Sequence, residues 1–278
     1  TLAGIGSASA AGNAGTVDIG NTTTLDLNLA GTFFTGGTTN FKAEDDNSGS
    51  DENIDITATT TIKTSSSDII FTDSAIDIAD NANLTINAGS GDVTLTDIHG
   101  DGTNSTSGSD VDIDGATIGV QNIGNSSVRD EINAVNINGT TAVTLNKPIY
   151  TGGANNSIDI VVNSGSGTLA LAADIVLDSL DAGNGNGAIT ITGGVSGDGN
   201  GPHNLDILSG TGLATITGNI GVTNALTSLE INAVDASTNT GGVTLGGNIG
   251  VGTTSGTTPG AGIVNLGNDD TTGVITLS

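Results

Sequence analysis

Few residues in this chain have the chemistry for catalysis or ion binding, and most of those are carboxylates. Asp110-Val-Asp-Ile-Asp-Gly115 has the opening of a calcium loop, in which oxygens at positions one, three and five converge on the ion. Position twelve, normally a bidentate Glu, is Gln121, and Val111 with Ile113 gives an alternating strand instead. A strand is therefore the expected structure. The acidic run Glu44-Asp-Asp-Asn-Ser-Gly-Ser-Asp-Glu52 supplies Asp45, Asp46, Asp51 and Glu52 as calcium candidates, since hard cations prefer clustered oxygens. A solvated loop explains the same residues and is the favoured reading, so calcium is the one cofactor left open. No nonapeptide of the RTX type is present.

His99 and His203 stand in similar turn regions, with no Lys or Arg near either in sequence, and a surface role is expected for both. Asp181-Ala-Gly-Asn-Gly-Asn-Gly187 and Ser196-Gly-Asp-Gly-Asn-Gly201 lack the lysine and the following helix of a phosphate loop. They read as corners. Thr22 to Thr24, Thr59 to Thr61 and Thr190-Ile-Thr192 would suit an ice-binding array if stacked regularly, but their uneven intervals predict no flat array. No catalytic residue and no cofactor-binding residue is assigned, and the chain is expected not to be an enzyme.

Composition narrows the remaining classes. Thirty acidic residues face four cationic ones, Lys42, Lys63, Arg129 and Lys147, for a formal charge of -26. No basic patch exists to release counterions from a phosphate backbone, which excludes nucleic acid as a partner. Anionic membranes would repel the chain, and no run approaches the roughly 18 apolar residues of a membrane span, so membrane insertion is not expected. There is no Cys, which removes disulfides and thiolate chemistry. The opening Thr-Leu-Ala-Gly-Ile-Gly-Ser-Ala does not read as a signal peptide. Disorder is disfavoured, because 45 Gly and 3 Pro in 278 residues stay below the roughly 25% of low-complexity chains.

Along its length the sequence is a succession of short apolar-x-apolar segments separated by Gly, Asn, Asp, Ser and Thr. Val17-Asp-Ile19, Ile54-Asp-Ile56, Leu84-Thr-Ile86, Val143-Thr-Leu145, Ile189-Thr-Ile191 and Val243-Thr-Leu245 are examples. This is the period-two signal of a strand with one buried face. The segments also repeat. Asn83 to Thr96 aligns with Asn204 to Thr217 at an offset of 121, Glu131-Ile-Asn-Ala-Val135 recurs as Glu230 to Val234 at 99, and Ser164 to Leu171 aligns with Ser209 to Ile216 at 45. The difference between the first two offsets suggests a coil of about 22 residues. Twelve or thirteen such coils, stacked about 4.8 Å apart, would make a rod of roughly 60 Å. Its narrow core would exclude bulky aromatics. Residues 1–80 contain all four Phe and read as an irregular or capping part, residues 81–278 as the regular solenoid.

The phrasing of Asn204-Leu-Asp-Ile-Leu-Ser-Gly-Thr-Gly-Leu-Ala-Thr-Ile-Thr-Gly-Asn-Ile-Gly221, Leu226 to Ala233 and Val243 to Ile249 resembles the β-strand-repeat exoproteins of bacterial surfaces, namely filamentous-haemagglutinin-like proteins and autotransporter passengers. The resemblance implies an all-β, right-handed parallel β-helix, exported to the bacterial cell surface or extracellular space. It implies a structural or adhesive fibre or surface layer, self-assembling in one variant. Partners would be copies of itself or the rest of a longer chain, with surface glycans or matrix as ligands. The alternative from a different class is a carbohydrate-active or carbohydrate-binding β-helix, which would need acids clustered with Lys, Arg or His.

Overall fold

The computed structural model describes residues 1–6, 16–20, 26–43, 53–100, 108–126, 132–152, 156–180, 187–232, 241–250, 263–267 and 274–278. Among these, every strand pairing is parallel, and the one helical piece is a 3₁₀ turn at Asn163–Gly165. Strands stack coil upon coil into a β-solenoid with three faces. The first face holds the rungs Ile54–Ile56, Ile76–Ile78, Ile98–Gly100, Ile175–Asp178, Asn204–Leu208 and Ser228–Ile231. The third holds Val17–Gly20, Thr39–Ala43, Ile69–Asp73, Ile118–Val120, Val143–Leu145 and Leu169–Leu171, among others. Long strands such as Ser109–Val120 and Ile132–Leu145 turn a corner and serve the second and third faces together.

The second face shows why this sequence folds this way. One inward column runs Ile5, Phe33, Ile62, Ile86, Ile113, Ile137, Ile160, Ile191, Ile216, Leu245, Leu277, each register-paired with the next. From Phe33 to Leu245 no member is more than 1% exposed. β-branched side chains fill a pleated, fully buried surface without loss of rotamer freedom, and each buried aliphatic contributes about 1.5–3 kcal/mol. The ten steps span about 48 Å at the inter-strand spacing.

Coil length varies more than the repeats suggest. A step of 22 residues is realised at Val17↔Thr39, Ile54↔Ile76 and Ile76↔Ile98. Others are longer, as at Ile158↔Ile189 and Leu229↔Val264. The sequence repeats also join different faces. Leu84 and Ile86 lie on the second face but their counterparts Leu205 and Ile207 lie on the first, and Val143 lies on the third while Val243 lies on the second. The recurring unit is thus one strand with its corner, about a third of a coil, and not a whole coil.

The core also accepts aromatics, contrary to expectation. Phe33, Phe41 and Phe71 are buried; Phe41 and Phe71 are register partners with rings stacked at 4.8 Å, and Phe33 meets Phe41 edge-on at 6.1 Å. Stacking on consecutive rungs lets a flat ring replace an aliphatic side chain. The ladder runs through residue 80 without a break, by way of Ile54↔Ile76↔Ile98.

Where the first face turns into the second, a buried polar column of Thr151, Ser179, Ser209 and Asn232 replaces the aliphatics. Asn232, at φ 50°, accepts at its Oδ1 from the Ser209 backbone N–H at 2.9 Å and donates from its Nδ2 to Ser209 Oγ at 3.1 Å. Side chains thereby satisfy corner backbone groups that the ladder leaves over. At another corner Gly124 has φ +72°, and a Cβ there would lie 2.1 Å from the Tyr150 carbonyl oxygen.

Candidate functional site: the outward ladders

Alternation places the residue between two core positions on the outside, so register stacks outward side chains as strictly as inward ones. Asp110, Asp112 and Asp114 are such residues, with Val111 and Ile113 buried between them. The strand expected at this segment is present, and its three outward carboxylates each accept from Asn amides on adjacent rungs. Asn136 Nδ2 donates to Asp112 at 2.7 Å, Asn133 Nδ2 to Asp110 at 3.0 Å, and Asn138 and Asn87 to the two oxygens of Asp114 at 3.2 and 3.3 Å. Each carboxylate is held by neutral donors on adjacent rungs, which relieves repulsion without a cation.

Asp159 is the next rung above Asn136. Its Oδ1 is buried and has no hydrogen-bond partner, and burial pushes its carboxyl above the ordinary range. On the first face Asp206 is stacked on Glu230. Burial raises its carboxyl, followed by the negative charges of Glu230 and Asp174. Sequence reasoning passed over both, because a period-two pattern marks a residue as outward without saying how crowded its side of the rung is.

The calcium candidates Asp45, Asp46, Asp51 and Glu52 lie outside the described residues. Among the described residues, no three His, Asp or Glu side chains gather where a metal ion would sit, and no helix is long and apolar enough to cross a membrane. The two histidines occupy different settings. His99 is on a strand, its Nδ1 3.7 Å from Asp77 Oδ1 on the rung below. His203 is in a turn, its Nε2 3.4 Å from Asp198 Oδ1. The Asn200 backbone N–H and side-chain amide, and then His203, hold the Asp198 carboxyl below its usual range. Asp198–Gly201 is thus an Asx-type corner, as read from its glycines. Lys147 reaches across two coils to Asp97, at 2.9 and 3.0 Å.

The threonines stack more than their chain spacing suggests, in a column that Asp and Asn interrupt. Although Thr-x-Thr segments are unevenly spaced in the sequence, register assembles them into a column on the outside of the second face. Thr32, Thr61 and Thr85 stack at one end, and Thr190, Thr215, Thr244 and Thr276 at the other. Asp112, Asn136 and Asp159 occupy the rungs between. Corner insertions absorb the uneven spacing, so chain intervals say nothing about spatial intervals. Of the segments read from the sequence, Thr22 to Thr24 lies outside the described residues.

No family model, no curated protein and no solved structure matches this chain.

Proposed function

We propose that this chain is a structural or adhesive rod of a bacterial surface, extracellular and non-catalytic, whose work is to project or assemble an extended surface. The observation that carries this reading is the unbroken inward column from Ile5 to Leu277, which makes a stiff rod whose exterior is ladders of Asn, Asp and Thr. The Asp–Asn ladders support it, since their donors and acceptors are used in holding rungs together. The exterior left over is a repetitive polar surface for multivalent contact with glycans, matrix or neighbouring rods. Strand edges at a solenoid end favour head-to-tail contact between copies, a heterologous interface that builds filaments.

Electron microscopy of purified protein and of the native surface tests this reading. Filaments or a layer whose subunit has the width of one solenoid are expected. Isolated rods at every concentration, together with no retention on cells or matrix, would overturn it.

A further inference from the structure

Near one end of the third face, register sets two outward columns side by side, Asp18, Asn40 and Ile70 next to Gly20, Lys42 and Thr72. These six residues, with Ile19, line a cleft of about 380 Å³, a size within the range of about 300–1,000 Å³ of small-molecule sites. Resting on the adhesive reading of the rod, we propose that this cleft binds a neutral saccharide.

The cleft follows from local backbone and packing. Gly20 takes φ +79°, and a Cβ there would lie 1.9 Å from the Lys42 carbonyl oxygen, so the position must stay bare. One place in the array is thereby left without a side chain. Behind the array, the inward Phe41 and Phe71 stand on the same rungs as the other lining residues, with their rings stacked at 4.8 Å. Their packing and the parallel ladder hold the lining in place before a ligand arrives, which lowers the ordering cost of binding.

The lining discriminates between ligand classes. Asn40 Nδ2 donates to Asp18 Oδ1 at 2.6 Å, which orients the carboxylate and leaves Oδ2 as an acceptor. The Thr72 hydroxyl makes no side-chain hydrogen bond to a described residue, and Lys42 brings an ammonium group to the same cleft. A sugar hydroxyl is donor and acceptor at once, so a ring carrying several can serve carboxylate, amide, ammonium and hydroxyl together while its C–H face covers the half-buried Ile70. An anion such as phosphate would meet Asp18, and a cation would meet Lys42. An apolar ligand would strip water from both charges without replacing it.

The experiment titrates the full chain, labelled at its isoleucine methyl groups, with galactose, mannose, N-acetylglucosamine and lactose, and separately with inorganic phosphate and calcium. At least one sugar is expected to shift the Ile70 methyl signal saturably, with a Kd on the order of 1 mM, and neither ion should. D18A removes the fixed acceptor and I70W fills the cleft; each should weaken that sugar about tenfold or more with the circular dichroism spectrum unchanged. T244K, on the second face, should bind as the wild type does. No saturable shift at Ile70 with any sugar, undiminished binding by folded D18A or I70W, equal loss in T244K, or a larger response to phosphate or calcium than to every sugar would overturn the proposal. Binding is read on the soluble chain, so these outcomes are separate from whether rods form filaments or stay on a surface.

Discussion

Asp206 is held with a raised pKa by its burial and by Glu230 and Asp174, which makes its ionisation a cost of folding. An unfolded Asp loses its proton near pH 3.9, whereas folded Asp206 keeps it to higher pH. Stability therefore falls as pH rises through that window and stays lower above it. D206N removes the penalty: its melting temperature should exceed the wild type's at pH 7, and the gap should close near pH 3. Asp198 has the opposite sign. Its lowered pKa means that its contribution is present above the unfolded pKa and is lost as pH falls through the folded value. At this scale the sequence revealed roles through residue type in Asp110-Val-Asp-Ile-Asp, where alternation identified strand over calcium loop. It did not reveal the environments of Asp159 and Asp206, because crowding comes from the rungs above and below, which are 23 to 31 residues away in sequence.

Strands and corners carry separate burdens. Ile137 sits in mid-column between Ile113 and Ile160 and is 1% exposed. Ile137→Ala should cost about 2–5 kcal/mol, because neighbouring rungs are pinned by their own hydrogen bonds and cannot collapse into the cavity; urea denaturation measures it. At the corner, Gly124→Ala meets both the positive φ and the Tyr150 carbonyl. A loss of about 2 kcal/mol or more is expected, and hydrogen exchange should place the loosening around Ile123–Tyr150. Apolar-x-apolar segments such as Ile54-Asp-Ile and Val143-Thr-Leu were legible as strands, since alternation is a local property. Which face each strand joins was not legible. All three faces use the same strand-corner phrase, so self-similarity at offsets of 121, 99 and 45 matched strands on different faces.

Across the whole molecule, thirty carboxylates and four cationic side chains make like-charge repulsion a global load on a stack of rungs spanning about 48 Å. Raising salt from dilute buffer to about 1 M, where the Debye length shrinks to about 3 Å, should raise the melting temperature. An unchanged or lower value would show that the Asn–Asp ladders already neutralise the load. Length and charge were readable from composition, but coil count was not, because insertions at corners stretch steps from 22 residues at Ile54↔Ile76 to 35 at Leu229↔Val264. The parallel register has a mechanical consequence. Inter-rung hydrogen bonds run along the rod axis, so tension between the ends loads them one rung at a time rather than in concert. Pulled in this way the rod should unravel from an end as a staircase. Each step would release about 27 residues, or roughly 90 Å of slack chain, so a tethered surface would yield gradually under shear while the coils behind the break stayed folded.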